Sequence, residues 1–153
     1  MKKIYLILII ATLSSSSCRK DECELPDQII GTGEIIENAL VSQPVITWEM
    51  RDKVHVIQDD SLNKYNLKVS FDNGSTYDSI DFSMYTLLGK YARGKCNVTF
   101  ERNVIRNDSQ KKLYYDIKVH QCGTCEINWE SMNWVLIPKM PNDYEVVFNV
   151  NEE

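Results

Sequence analysis

The chain has 153 residues, 43% hydrophobic and 25% charged, which is the composition of an ordinary globular protein and excludes overall disorder. Its length suits one domain better than two. Seventeen Lys and Arg against 22 Asp and Glu give a net charge of −5 without a basic stripe, so nucleic acid is set aside as a partner.

The first 17 residues have the layout of a secretory signal peptide. Lys2 and Lys3 form a positively charged start, and the ten residues from Ile4 to Leu13 are apolar. This run is shorter than the roughly 20 residues that a membrane-spanning helix needs, and it lies within the range of a signal sequence. We therefore expect the protein to be exported, and no later stretch of the sequence is apolar enough to span a membrane.

Cys18 follows a run of small residues. The stretch SSSC, residues 15–18, resembles a lipobox, the cleavage signal of lipoproteins, although Ser15 stands where Leu, Val or Ile is usual. The resemblance implies that Cys18 becomes the first mature residue and is acylated through its sulfur. The alternative is ordinary cleavage nearby, which leaves Cys18 able to form a disulfide. The chain has five cysteines, and lipidation of Cys18 leaves an even set for pairing in an oxidising compartment.

The residues after Cys18 also resemble a known signal. The sequence CRKDE resembles the surface-export signal of Bacteroidota lipoproteins, in which a lysine and two acids follow the acylated cysteine. The residues that match are Lys20, Asp21 and Glu22. The resemblance implies an outer-membrane protein that is held by its lipid and exposed at the cell surface. The alternative is that these residues are only a solvated linker.

The remainder of the chain has a β pattern. We assign residues 1–17 to the signal peptide, 18–28 to a lipidated tether and 29–153 to a single β-rich domain. Short runs of β-branched and aromatic residues are separated by turn signals such as the Asn-Gly of residues 73–74. Residues 59–65 carry capping residues and favour a short helix. The pattern predicts a mainly β fold, an antiparallel β-sandwich or roll with at most one short helix.

The clearest element is a hairpin over residues 96–122, with a polar turn at 107–110. On its first arm Val98, Phe100 and Val104 face one way. On its second arm the same face carries Leu113, Tyr115, Ile117 and Val119. This alternation predicts a long hairpin with one buried face. Elsewhere, PVITWEM (residues 44–50) is predicted as a short β-type run and EINWESMNW (126–134) as a weak helix.

Part of the chain also resembles a family. The stretches IDFSMYTLLG and NWVLIPK, the glycine-containing segment that ends at Cys96, and the motif CGTC are similar to the C-terminal part of small flavobacterial lipoproteins of uncharacterised function. The resemblance covers about half of the chain. It implies an envelope lipoprotein and does not indicate any particular activity.

The motif CGTC places Cys122 and Cys125 in CxxC spacing. Such a pair can be a redox dithiol, or half of a zinc site with Cys96 or His120 as further ligands. Because the motif ends a hairpin arm, we expect structural disulfides instead. Strand parity favours a bond from Cys96 to Cys125, which leaves Cys23 and Cys122 as the second pair. A thiol–disulfide redox function of CGTC stays open as the alternative.

Five aromatic residues give a weaker indication of a binding site. Trp48, Trp129, Trp134, Tyr114 and Tyr115 could line a carbohydrate or peptide site, although aromatics at strand spacing are more often core. The two histidines, at positions 55 and 120, lie on alternating runs where exposure is usual.

Two tripeptides resemble the O-glycosylation sequon of Bacteroidota, DSL around Ser61 and DSI around Ser79. No nucleophile elbow, phosphate loop or glycosidase acid pair is present in the sequence. We therefore expect a non-enzymatic binding or assembly module without cofactor or metal, whose partner is an unidentified protein or glycan besides the membrane.

Overall fold

The computed structural model describes Leu25 and residues 31–152. This part of the chain is mainly β, with a single α-helix of five residues and one 3-10 turn, so the predicted fold class is confirmed. The predicted anchor, sorting residues and second disulfide involve Cys18, Lys20, Asp21, Glu22 and Cys23. These five residues lie outside the described residues, and the assignments that rest on them stay predictions.

The elements are short before residue 80 and long after it. Helix α1 spans Trp48–Asp52, and the 3-10 turn spans Asp60–Leu62 within the segment predicted to be helical. The strands are β1 (Thr32–Gly33), β2 (Leu40–Val41), β3 (Val54–Ile57), β4 (Lys68–Ser70), β5 (Asp78–Ser79), β6 (Tyr85–Lys95), β7 (Asn97–Asn107), β8 (Lys112–Cys122), β9 (Asn128–Pro138) and β10 (Glu145–Glu152).

The strands form three sheets in the described part of the chain. The front sheet has the order β1-β7-β8-β10, the middle sheet β3-β6-β9 and the back sheet β2-β4-β5. Neighbouring strands are antiparallel except that β1 joins β7, and β10 joins β8, in parallel. The predicted antiparallel pairing is therefore correct for every pair except two. The two parallel pairs lie at the edges of the front sheet.

The predicted hairpin is confirmed as β7 and β8. Its register runs without a bulge from Asn97 opposite Cys122 to Asn107 opposite Lys112, so even positions on β7 face odd ones on β8. The predicted inward face is buried at Val104, Leu113, Tyr115, Ile117 and Val119, and half-buried at Val98 and Phe100. Burying each large apolar side chain contributes about 1.5–3 kcal/mol, which makes this face a main source of stability.

The middle sheet is buried on both faces, which explains the uninterrupted apolar run in β9. Leu88, Val135 and Ile137 pack in the cluster shared with the front sheet. Leu87, Trp134 and Leu136 pack in the cluster shared with the back sheet and α1. Successive residues of a strand point to opposite faces, so a strand covered on both sides must be apolar at every position.

Two local predictions were wrong. Residues 48–50 begin helix α1 because the Thr47 hydroxyl accepts a hydrogen bond from the Met50 backbone N–H at 3.4 Å, and because Met50 is fully buried. Residues 128–134 begin strand β9 instead of a helix, since they pair with β6 in the middle sheet. In the part of the chain that the structure describes, no helix is long and apolar enough to cross a membrane.

Candidate functional site

A cavity of about 290 Å³ lies where the segment 31–40 crosses the edges of the front and middle sheets. The backbone N–H of Glu34 donates to the Val104 carbonyl, and that of Ile36 donates to the Leu136 carbonyl, both at 2.8 Å. The segment is thereby joined to β7 and to β9. The cavity is lined by Gly31 and residues 35–40, by Asn73, and by Arg102, Trp134 and Val135.

Gly33 allows the segment to approach β7 closely. Its φ is +77°, and a Cβ atom at this position would lie 2.0 Å from the Val104 carbonyl oxygen. Any side chain would therefore push β1 away from β7. The absence of a side chain at Gly33 therefore lets β1 lie directly against β7.

Trp134 is the most buried residue that lines the cavity, with 2% of its surface exposed. Its ring lies over Gly89, since a Cβ at Gly89 would be 2.0 Å from Trp134 Cζ3. The indole Nε1–H is buried and has no hydrogen-bond partner in the protein. A buried donor without a partner costs about 1–3 kcal/mol, so a native protein seldom leaves one without a reason.

Arg102 also lines the cavity and also has a buried polar atom without a partner. It lies on β7 between Phe100 and Val104, at a position of the inward-facing register. It is half-buried, its Nε is buried without a hydrogen-bond partner, and among the described residues no carboxylate forms an ion pair with it. Burial raises the pKa of Tyr115, and the nearby positive charge of Arg102 opposes that shift. Arg102 is thus a cation beside the core without a counter-ion from described residues.

A second depression, of about 350 Å³, lies on the solvent-facing side of the front sheet and is lined by Glu101, Asn103, Asp116, Lys118 and Asn151. Its polar groups largely have protein partners. Glu101 Oε2 lies 3.0 Å from His120 Nε2, and Asp116 accepts a hydrogen bond from Asn149 at 2.7 Å. Asn103 accepts one from Thr32 at 2.9 Å. Because these groups are satisfied, this depression is a weaker ligand site than the cavity beside Trp134.

All three cysteines of the described chain are in disulfide bonds. Cys96 and Cys125 form the predicted disulfide, with a Cα–Cα distance of 5.2 Å. Cys122 is also disulfide-bonded, and because Cys125 bonds to Cys96 the two cysteines of CGTC do not bond each other. Gly123 makes room for the bridge, since it has φ of +104° and a Cβ there would lie 3.1 Å from Cys96 Cβ. Within the described residues, no group of His, Cys, Asp and Glu could hold a metal ion.

The predicted aromatic set does not form one site. Trp134 and Tyr115 are buried and Tyr114 is half-buried, whereas Trp48 is 78% and Trp129 57% exposed. Trp48 lies on α1, against the back of the middle sheet, and Trp129 has the strand parity of the front-facing residues of β9. Of these five residues, Trp134 alone lines the cavity.

The two serines predicted as glycosylation sites are both exposed. Ser61 lies in the 3-10 turn, where its hydroxyl donates to Asp59 Oδ1 at 2.5 Å, and Ser79 lies in β5.

His120 is half-buried, and His55 is only 7% exposed, so the expectation that both histidines face solvent was wrong for His55. None of these four residues lines the cavity.

Arg102 is the lining residue that sequence reasoning missed. The signal was present: a single charged residue interrupts the apolar inward positions 98, 100 and 104 of an otherwise regular alternation. Charges that point inward at such positions are unusual and have a structural or functional reason.

Comparison of the chain with protein-family models, with curated proteins and with solved structures finds no match.

Proposed function

We propose that the protein is a lipid-anchored lipoprotein of the cell envelope whose β-rich part is a non-enzymatic binding module. The observation that carries the binding role is the 290 Å³ cavity, whose lining combines apolar side chains with Arg102, a residue that has a buried Nε without a protein partner. Buried polar atoms in native structures are nearly always hydrogen-bonded. A bound small molecule that accepts hydrogen bonds supplies the missing partner.

The anchoring role rests on the N-terminal sequence. A signal peptide followed by Cys18 and by Lys20, Asp21 and Glu22 is the order found in surface-exported Bacteroidota lipoproteins. One acyl chain gives only marginal membrane binding, whereas two or three hold a protein stably, at about 0.8 kcal/mol for each buried methylene. We propose that the acylated Cys18 holds the protein in the outer membrane, with the binding module at the cell surface.

The Cys18→Ala variant tests the anchor. We expect it to stay unprocessed or to become soluble, whereas the wild-type protein partitions into the detergent phase. Replacement of Lys20, Asp21 and Glu22 by alanine is the matched control for sorting. This variant should keep its lipid and lose accessibility to protease added to intact cells. A Cys18→Ala protein that still partitions wholly into detergent would refute the lipid anchor.

Ligand-dependent thermal stabilisation tests the binding module. A molecule that binds only the folded state raises Tm in proportion to the logarithm of its concentration above Kd. The full-length protein should therefore respond to members of a chemically diverse set of sugars, anions, cations and apolar compounds. Ala39→Leu, which adds volume inside the cavity, should remove the response, whereas Val45→Leu at an exposed position should keep it. If no compound gives a response that depends on Ala39, the cavity is not a binding site.

A further inference from the structure

We infer that the protein has a second binding site, in which the open face of Trp48 stacks on the pyranose ring of a saccharide and Arg51 and Glu130 bind its hydroxyl groups. The site is formed by helix α1 and by the neighbouring parts of β6 and β9. None of its residues lines the 290 Å³ cavity, so this site goes beyond the binding role proposed above and does not depend on it.

Trp48 is exposed and yet held in place. It is the first residue of α1, which the fully buried Met50 fixes against the middle sheet, and 78% of its own surface is exposed. The guanidinium of Arg51 lies over its ring, with Cζ 4.7 Å from the ring centroid. Because Arg51 covers one face while most of the residue stays exposed, the other face of the indole is open to solvent. A ring in this position buries little apolar area, so the stability of the fold does not account for it.

Arg51 is in turn fixed by the middle sheet. Its Nη2 donates to Glu130 Oε2 at 2.6 Å, and its Cζ lies 5.7 Å from the centroid of the Tyr91 ring. Burial raises the pKa of Tyr91, and a hydrogen bond with Glu130 raises it further. Trp48 is therefore the exposed end of a connected set of contacts that begins on β6 and β9. A binding group that is oriented before the ligand arrives loses little conformational freedom on binding.

The groups beside the ring fit a sugar better than an apolar partner. A pyranose ring has a face of C–H bonds and a rim of hydroxyl groups, so it needs an apolar plane with hydrogen-bonding groups next to it. Trp48 supplies the plane, and the side chains of Arg51 and Glu130 beside it remain 29% and 32% exposed. An apolar surface pressed onto Trp48 would remove these charged groups from water without replacing their hydrogen bonds.

The pairing of a donor with an acceptor also favours hydroxyl groups. Arg51 has five N–H donors, of which Glu130 accepts from one nitrogen, and the carboxylate of Glu130 keeps further lone pairs. A hydroxyl group both donates and accepts, so neighbouring hydroxyls of a sugar can bind both side chains at once. An anion beside Arg51 would also meet Glu130, and a cation beside Glu130 would also meet Arg51.

Matched probes test the requirement for a ring. Methyl β-D-glucopyranoside, methyl β-D-galactopyranoside and methyl α-D-mannopyranoside have a pyranose face, whereas sorbitol has similar hydroxyl groups and no ring. Each is added to the processed lipoprotein in a zwitterionic detergent, because glycoside detergents would compete. Saturation-transfer NMR and tryptophan fluorescence report binding. We expect at least one glycoside to bind in the millimolar range, as suits a ligand of about a dozen non-hydrogen atoms, and sorbitol to bind at least about tenfold more weakly.

Variants assign the binding to Trp48. Trp48→Ala should abolish glycoside binding and leave Tm nearly unchanged, because the side chain is exposed. Trp129→Ala removes another exposed tryptophan, one with the strand parity of the front-facing residues of β9, and should leave binding unchanged. Arg51→Lys keeps a positive charge near Glu130 but loses the planar group that stacks on the indole, so it should weaken binding several-fold.

Three results would overturn the saccharide site. They are equal binding of the glycosides and sorbitol, glycoside binding that Trp48→Ala leaves unchanged, and no binding of any of the three glycosides. Membrane contact is the competing use of an exposed tryptophan in a lipid-anchored protein. Quenching of the tryptophan fluorescence by brominated phosphatidylcholine in vesicles, if Trp48→Ala removes it and Trp129→Ala does not, would place the ring in the bilayer and would also overturn the site. The Ala39-dependent response of the cavity is a separate measurement, so the failure of one site is distinguishable from the failure of the other.

Discussion

Trp134 occupies the space that a side chain at Gly89 would need. The two residues are cross-strand partners on β9 and β6, and a Cβ at Gly89 would lie 2.0 Å from Trp134 Cζ3. His55 is the next residue in the same row, paired with Gly89 from β3, and its ring centroid lies 5.3 Å from that of Trp134. The missing side chain thus lets the indole lie across β6 toward His55, and this packing fixes the orientation of the ring.

Gly89→Ala should therefore destabilise the protein more than a glycine substitution elsewhere on β6. Overpacking a core costs about 1–3 kcal/mol and occasionally more. The matched control is Gly94→Ala, whose Cβ would meet only side-chain methyl groups of Val98 and Val119, at 2.9–3.0 Å, and should cost less. The measurement is the free energy of unfolding in urea for each variant.

A double-mutant cycle shows whether Trp134 causes the cost of Gly89→Ala. Trp134→Ala alone removes a buried aromatic side chain and should cost about 3–5 kcal/mol. In the Trp134→Ala background the added methyl meets no ring, so Gly89→Ala should cost almost nothing further. Additive effects of the two substitutions would contradict the packing described for this pair.

Arg102→Leu should stabilise the protein in the absence of ligand. The substitution replaces an inward-facing cation without an ion pair in the described chain by an apolar side chain next to Phe100 and Val104. A gain of about 1 kcal/mol in the free energy of unfolding is expected, because replacing buried charge by well-packed apolar groups is neutral or stabilising.

A second arginine of the same strand is the control for Arg102→Leu. Arg106 donates to Asp108 at 2.6 Å and lies 4.9 Å from the Tyr144 ring centroid, so Arg106→Leu should lower stability slightly. A clear loss of stability in Arg102→Leu, as large as in ordinary core substitutions, would mean that the arginine has a structural partner. Its role as a ligand-binding group would then lose its support.

The disulfide between Cys96 and Cys125 should contribute about 3–4 kcal/mol, because it closes a loop with a sequence separation of 29. The variant with serine at both positions should lose that amount in denaturant unfolding, and added reductant should lower its stability less than that of the wild type. Peptide mapping without reduction should recover a Cys96–Cys125 peptide.

The same mapping tests the redox alternative. A thiol–disulfide function of CGTC requires its two cysteines to exchange between a dithiol and a disulfide of their own. A Cys122–Cys125 peptide, or rapid alkylation of Cys122 in the native protein, would support that function. Two stable disulfides without a reactive thiol would exclude it.

The stability of the protein should fall as the pH drops below about 6.5, because burial lowers the pKa of His55 from that ordinary value. A hydrogen bond with the Met50 backbone opposes the shift without cancelling it. In the unfolded state His55 binds a proton more readily than in the folded state, so acid favours unfolding. The contribution of neutral His55 to the free energy of unfolding is therefore fully present only above the unfolded pKa. One group changes the free energy of unfolding by at most about 1.4 kcal/mol per pH unit.

Substitution of each histidine separates this effect from general acid unfolding. His55→Gln should flatten the dependence of the free energy of unfolding on pH between about 5 and 7, the window just below the unfolded pKa. His120→Gln should retain it, since His120 is half-buried beside Glu101 and not within the core. An unchanged slope in His55→Gln would show that other groups carry the pH dependence.

Much of the fold follows from alternation along the chain. The hairpin of β7 and β8, its buried face and the choice of Cys125 as partner of Cys96 were all predicted, because a period of two residues fixes which side chains share a face. Residues 44–50 and 128–134 were assigned wrongly. Each is short and aromatic, and its state depends on a capping contact or a distant strand and not on its own pattern.

The sequence by itself therefore determined the β class, the hairpin and one disulfide. These features depend on residues that are close in the chain or that share a strand parity. Only the tertiary structure decided that Arg102 and Trp134 line the same cavity. The lining of this cavity depends on how the front and middle sheets stack and on where residues 31–40 cross their edges. Contacts of this kind join residues far apart in the chain, and no local period encodes them.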